Sequence, residues 1–280
     1  MQYRHAPEAN HAALDAVLAS APGRPTLPVR LTVELFGRAR AHLGSPATVA
    51  VWDPCCGAGV SLTVLGLLRP GISVVVGTDV DPDPLDLARR NLALLAPGGL
   101  AARASELDDL AVRHGKDSYT TAAVAARELS PRSTPERLVA VADARDPVTT
   151  RAVLGDIEPD IVLADLPHGR QTSWFGQGST DGAGQGSPDG TEARRDRPGA
   201  PDPRGQGATG ATTAAEPGPA PEVVFLRAVA RVLAPQAVVV AVGRGRSVPL
   251  PSGVRALEKV RVGHRAAVLL RAGDLFRPGR

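Results

Sequence analysis

Apolar residues along this chain follow two patterns, a period near 3.6 and short unbroken runs, and the two alternate. Residues 1–45 read as helical, with His11–Leu18 and Arg30–Leu43 carrying apolar side chains at helical spacing. Val49–Asp53 reads as a short buried strand that leads into a glycine-rich turn and an apolar helix, Ser61–Leu68. A second strand, Ser73–Asp79, precedes D-P-D-P at 81–84, which opens a helix through Leu95 with proline in its first turn. Residues 101–137 are polar and helical in pieces, ahead of a third strand, Leu138–Asp143. The fourth strand is Asp160–Asp165. After a helix at Val223–Leu233 come a fifth strand, Ala237–Val242, and two more near Leu257–Val262 and Arg265–Arg271. Strands alternating with helices predict an α/β fold around a doubly wound, mostly parallel sheet of seven strands. The last two strands lie too close in sequence for a crossover helix, so they predict an antiparallel C-terminal hairpin at one edge.

Between Gly176 and Pro221 both patterns stop. Those 46 residues contain no Val, Ile, Leu, Met, Phe, Tyr or Trp, but 11 Gly and seven Pro. With no apolar surface to bury, nothing offsets the entropy cost of ordering such a segment, and it reads as a disordered insertion. The chain therefore divides into an N-terminal helical segment (1–45), one domain built from 46–175 and 222–280, and the insertion (176–221). Hydrophobic residues make up 43% of the chain, enough for a sizeable core, while aromatics are only 3%. No apolar run approaches the roughly 18 residues a membrane span requires, and the first eight residues lack the apolar stretch of a signal peptide. Cys55 and Cys56 are adjacent and are the only cysteines. They allow no disulfide framework, make a poor zinc site, and read as small residues packed beneath a turn in a protein of the reducing cytoplasm. No metal is expected, nor any obligate partner subunit.

The most informative stretch is V49-A-V-W-D-P-C-C-G-A-G-V60. An acid at a strand tip, with glycines behind it, suits a ligand carrying both an ammonium and a carboxylate. Asp53 can pair with the ammonium, and backbone N–H groups at the helix start can meet negative charge. Gly57 and Gly59 let main chain approach where a Cβ would clash. A dinucleotide fold would show G-x-G-x-x-G here, which is absent. Four strands end in an acid: Asp53, Asp79, Asp143 and Asp165. In a doubly wound sheet ligands bind outside the carboxyl ends of the strands. A nucleoside ligand makes sense of the row. The second acid takes both ribose hydroxyls, and the third accepts the exocyclic amine of adenine.

The fourth strand closes with A164-D-L-P-H-G169. Together with D-P-C-C-G-A-G and G-T-D-V-D-P, this resembles class I S-adenosylmethionine (SAM)-dependent methyltransferases acting on nitrogen in nucleic-acid bases. More closely, W52-D-P-C-C-G, T63-V-L-G-L-L, D79-V-D-P, N91-L-A-L-L and D165-L-P are similar to the avilamycin-resistance 23S rRNA guanine methyltransferase family, over about 25–175 and 222–275. The resemblance implies a Rossmann-like SAM domain, methylation of one guanine of 23S rRNA, N1 favoured over N2, and resistance to orthosomycin antibiotics. It assigns Asp53, Pro54, Cys55, Gly57, Gly59, Asp79, Val80, Asp143 and Ala144 to the cofactor. Asp165, Leu166, Pro167 and His168 fall on the catalytic motif. That motif is usually (Asp/Asn)-Pro-Pro-aromatic, so Leu166 and His168 are departures.

A guanine ring nitrogen is a poor nucleophile, because its lone pair is delocalised. Its site must hold the nitrogen in line with the methyl group and accept the N–H that acidifies as the bond forms. Asp165 and the carbonyl near Leu166 suit this, and Pro167 stiffens the loop. The base must leave its stack, which calls for an aromatic platform from His168, or from Trp174 and Phe175. Charge points the same way. From Glu222 to Arg280 there are 11 Lys or Arg against three acids, although the whole chain carries only +3. Arg170, Arg244 and Arg246 are candidates for holding RNA phosphates. Charge implies a nucleic acid, and the resemblance implies that this partner is 23S rRNA or the large ribosomal subunit. The competing readings are methylation of DNA adenine or of a protein glutamine, a non-catalytic RNA-binding relic, and a nicotinamide-dependent oxidoreductase.

Overall fold

Runs of Val, Ile, Ala and Leu, too short to make helices, build the centre of the molecule. The computed structural model describes residues 3–6, 12–19, 26–167 and 219–276. Among these, seven strands form one sheet: β1 (Val49–Asp53), β2 (Ile72–Asp79), β3 (Glu136–Val141), β4 (Ile161–Asp165), β5 (Val238–Arg244), β6 (Glu258–Val262) and β7 (Arg265–Arg271). Their order is β3-β2-β1-β4-β5-β7-β6. The first five pair in parallel, and β7 runs antiparallel between β5 and β6, so the expected C-terminal hairpin is present. β1, β4 and the first five residues of β5 are covered on both faces, which is why their sequences read as continuous apolar runs.

Among the described residues eight α-helices accompany the sheet: α1 (Ala12–Val17), α2 (Val29–His42), α3 (Val60–Leu68), α4 (Leu85–Ala93), α5 (Gly99–His114), α6 (Asp117–Glu128), α7 (Pro147–Leu154) and α8 (Pro221–Ala230). Side chains at alternate strand positions enter two separate cores. Val49, Val51, Ile161, Leu163, Val238 and Val240 meet α2 and α3 on one face. Trp52, Val162, Ala164, Val239 and Ala241 meet Leu154 of α7 and Phe225, Leu226 and Val229 of α8 on the other.

The structure shifts several expected boundaries for identifiable reasons. β3 ends at Val141, two residues short of Asp143. The Ala142 N–H still bonds Asp79, but the Asp143 carbonyl accepts from Asp146 and turns the chain into α7. Asp143 therefore sits in a turn rather than at a strand tip. α7 was not anticipated, although Asp146-Pro147 announces it. The Asp146 side chain caps Val148, and Pro147 occupies the first turn. α4 begins at Leu85 because Asp81 is drawn into a tight turn, its N–H donating to the Asp79 carboxylate and its own side chain accepting from Asp83. α8 starts at Pro221 rather than Val223. Residues 176–218 of the expected insertion lie outside the described residues. No helix among the described residues is long and apolar enough to cross a membrane.

The N-terminal strap is held by one buried carboxylate. Glu34 on α2 accepts from the backbone N–H groups of Arg4, His5 and Ala6, at 2.6–3.0 Å, and from Arg38 Nε at 2.7 Å. Arg38 in turn pairs with Glu258 of β6. Removing one partner of such a network leaves buried groups uncompensated. Glu34→Ala is expected to lower unfolding stability by about 3 kcal/mol or more, read as a shifted urea midpoint; an unshifted midpoint would show that the strap is not anchored there.

Candidate active site

The strand order reverses between β1 and β4: β2 and β3 lie to one side, β4 and β5 to the other. A crevice opens at the carboxyl ends of strands where such a reversal occurs. Asp53, Asp79 and Asp165 are the last residues of β1, β2 and β4 and therefore share that rim. Asp53 is buried, and its Oδ1 accepts the Cys55 N–H at 3.1 Å. Burial pushes its pKa well above the ordinary carboxylate range, and the charges of Asp79 and Asp165 push it further. The neighbouring charges thus disfavour the ionised form of Asp53, and a cationic ligand at this rim would relieve that.

The loop after β1 is shaped by its own hydrogen bonds. The Gly57 N–H donates to Asp79 Oδ2 at 2.8 Å, tying the turn to the tip of β2. Gly57 has φ +50°, and a Cβ built there would meet open space, so a ligand has room to lie against it. At Gly59, the N-cap of α3, φ is +69° and a Cβ would press on the Ala88 backbone at 3.1 Å. Glycine at 59 thus serves helix packing as well as the turn, which modifies the expectation that both glycines serve ligand approach. No side chain caps the N-terminus of α3. Asn91 of α4 is a residue whose job the sequence did not reveal. Its Nδ2 donates to the carbonyls of Ala58 and Ala19, both at 2.8 Å, and its Oδ1 accepts from the Ala19 N–H. One buried amide therefore joins the glycine turn to the segment after α1.

The remaining cofactor candidates fall close by. Pro54 is buried, Cys55 and Val80 are half-buried, and Ala144 is buried beside Trp52 and Val76 in the second core. Burial and the neighbouring acids push both thiols up, so Cys55 and Cys56 stay protonated and are not nucleophiles. Asp143 is engaged by Arg145, whose backbone N–H and guanidinium bond it at 2.9–3.1 Å. Burial pushes the Asp143 carboxyl up, but those bonds outweigh it and hold it below the usual range. The Arg145 pairing is a second feature that sequence reasoning missed.

At the β4 tip, the Leu166 N–H donates to the Val242 carbonyl and its side chain lies in the core. Leu166 thus fixes where Asp165 stands. Pro167 follows, half-buried. Asp165 faces Arg265, the first residue of β7, whose Nη1 reaches Oδ1 at 2.8 Å and Oδ2 at 3.0 Å. Arg244 and Arg246 are exposed at the end of β5 on the same rim. His168, Arg170, Trp174 and Phe175 lie outside the described residues.

Three comparisons with known proteins fit this geometry. The family described as rRNA methyltransferase AviRa matches residues 1–185. A 23S rRNA (guanine(2535)-N(1))-methyltransferase of Streptomyces viridochromogenes is 40% identical, over 99% of this chain and 98% of that protein. Two solved structures of rRNA methyltransferase aviRa from the same organism align with TM-scores of 0.77 and 0.76, at 40% and 39% identity. They cover 99% and 98% of this chain and 98% of each of theirs.

The raised pKa of Asp53 has a consequence for stability. An acid whose folded pKa exceeds its unfolded value destabilises the fold once pH rises past the unfolded value, near 4. Asp53→Asn keeps an acceptor for Cys55 and removes that cost. The ligand-free variant is expected to melt at a higher temperature than the parent at pH 7–8, with the difference vanishing as pH falls toward about 4. Equal melting temperatures across the range would contradict this account of Asp53.

Proposed function

The chain belongs to the AviRa family of rRNA methyltransferases, and from that premise we propose that it transfers a methyl group from SAM to ring N1 of one guanine in 23S rRNA. The observation that carries this reading is the carboxylate row on the rim, with buried Asp53 at its centre and Asp165 next to it. It matches a ligand that is cationic at its ammonium and at its sulfonium. The rest of the rim fits the same cofactor. Asp53 lies where an ammonium would sit, and the uncapped N-terminus of α3 offers N–H groups to a carboxylate. Open space beside Gly57 leaves room for the chain between them. Asp79, tied to Gly57 and Asp81, stands at the tip of β2 where ribose hydroxyls would lie, and Asp143 retains acceptor capacity beyond the bonds from Arg145. When bound, the cofactor supplies an electrophilic methyl group.

The chain's own residues do the rest. Asp165 accepts the guanine N1–H as the new bond forms, and Leu166 and Pro167 hold that carboxylate at a fixed height above the sheet. Arg244 and Arg246 stand on the rim where RNA phosphates would approach. His168, or Trp174 with Phe175, supplies the stacking surface for the flipped base, and Arg170 joins the phosphate contacts. The protein acts as a monomer in the cytoplasm on 23S rRNA or the large subunit, and its methylation confers resistance to orthosomycin antibiotics.

The test is transfer of labelled methyl from SAM to 23S rRNA, DNA or protein, with the modified position mapped by primer extension. Label at one guanine N1 of 23S rRNA is expected; label only on DNA or protein would defeat the reading. Asp165→Ala is expected to slow transfer by about 10²-fold or more with SAM affinity nearly unchanged by calorimetry. Full turnover in that variant would remove Asp165 from its role.

A further inference from the structure

We infer that Arg265 is a specificity-determining residue that reads guanine O6, acting with Asp165 as a two-part probe of the base edge; this rests on the proposed guanine-N1 reaction. Arg265 opens β7, and antiparallel pairing with β5 sets it opposite Arg244, two positions further toward the rim than the Asp165–Val242–Ala267 register. Its side chain and that of Asp165 are 15% and 16% exposed, so the pair is largely removed from solvent without being sealed off. Nη1 meets both Asp165 oxygens, and Nη2 reaches only the Thr26 carbonyl, at 3.5 Å. A guanidinium carries five donors in a planar fork. Among the described residues, Nε–H and one N–H of Nη2 therefore have no partner.

This arrangement sets a carboxylate acceptor beside an uncommitted donor. The Watson–Crick edge of guanine presents the complementary order, with N1–H and N2–H donors beside the O6 acceptor. Adenine presents a donor at N6 and an acceptor at N1, so it would place donor against donor and acceptor against acceptor. The chemistry adds a second reason. As N1 gives its proton to Asp165 ahead of or together with methyl transfer, the electron density left on the ring resides largely on O6. A donor aimed at O6 stabilises that charge, as preorganised donors do at other developing oxyanions. The N1–C bond forms, the donor's bond to the methyl breaks, and the N1 proton passes to the carboxylate, so the balance requires no further reactant.

The test uses an rRNA fragment that the wild-type protein methylates, carrying either guanine or 6-thioguanine at the target, with Arg265→Gln and Arg265→Lys. Single-turnover rate, SAM affinity, RNA affinity and melting temperature are measured together. On guanine, Arg265→Gln is expected to slow methyl transfer about 30-fold, the equivalent of one hydrogen bond to a charged group. SAM affinity should stay within about twofold, and Arg265→Lys should recover part of the rate. On 6-thioguanine, whose sulfur accepts poorly, the same substitution should cost only a few-fold. A folded Arg265→Gln protein that transfers at the wild-type rate would overturn the inference. So would an equal rate loss on both bases, which would make Arg265 only a support for Asp165. If the wild-type protein labels no guanine, the proposed function itself fails; if it does, and Asp165→Ala is inactive while Arg265→Gln is not, only this inference falls.

Discussion

A carboxylate buried at the tip of β1, with two others beside it, is the constraint that organises this molecule. Asp53 receives one backbone hydrogen bond, and the neighbouring charges of Asp79 and Asp165 oppose its ionisation. Unligated protein therefore carries a built-in penalty, and the fold must be stable enough elsewhere to tolerate it. The two apolar cores on either face of the sheet provide that margin. Trp52 shows how closely core and site are joined: it is fully buried beside Asp53, and its indole N–H donates to Thr78 at 3.0 Å, next to Asp79.

Holding the row in place needs fixed loops, and each is tied by a different bond. The glycine turn is pulled toward β2 by the Gly57–Asp79 bond and toward α4 by Asn91. Asn91 also grips Ala19, which links the turn to the N-terminal strap that Glu34 secures at its other end. The segment after α1 and the glycine turn thus share one buried amide, that of Asn91.

Much of the frame was legible because buried parallel strands leave strong marks. β1, β4 and β7 were bounded to within a residue, and the hairpin followed from the short gap between Val262 and Arg265. Asp53, Asp79 and Asp165 end their strands as expected, because a polar residue closing an apolar run is itself a signal. Asp143 was misplaced because β3 lies at the sheet edge, where exposure blurs the apolar run and the strand's end cannot be read. α7 is short, eight residues with only Thr150 and Leu154 buried, so its apolar period is faint and only the Asp146-Pro147 cap marks its start. Arg145, Asn91 and Arg265 left no local mark, because what defines each is a partner. Asn91 and Arg265 find theirs 72 and 100 residues away in sequence.

Arg265 also shows why a rule based on strand ends finds only part of such a site. In a parallel sheet only carboxyl ends reach the binding rim, so the search for chemistry stops there. β7 reverses that rule. Running antiparallel between β5 and β6, it brings its first residue to the rim where β4 and β5 bring their last. The tight turn from β6 at Gly263 (φ +56°) delivers Arg265 beside Asp165 with no intervening loop. Arg265 is held by its pairing with Asp165, whereas Arg244, the last residue of β5, and Arg246, just beyond it, are exposed. A side chain held by a partner suits reading one base edge, while exposed arginines suit phosphates, whose charge is felt over a longer range. The antiparallel hairpin thus supplies the basic half of the proposed site, whose acidic half comes from the parallel strands.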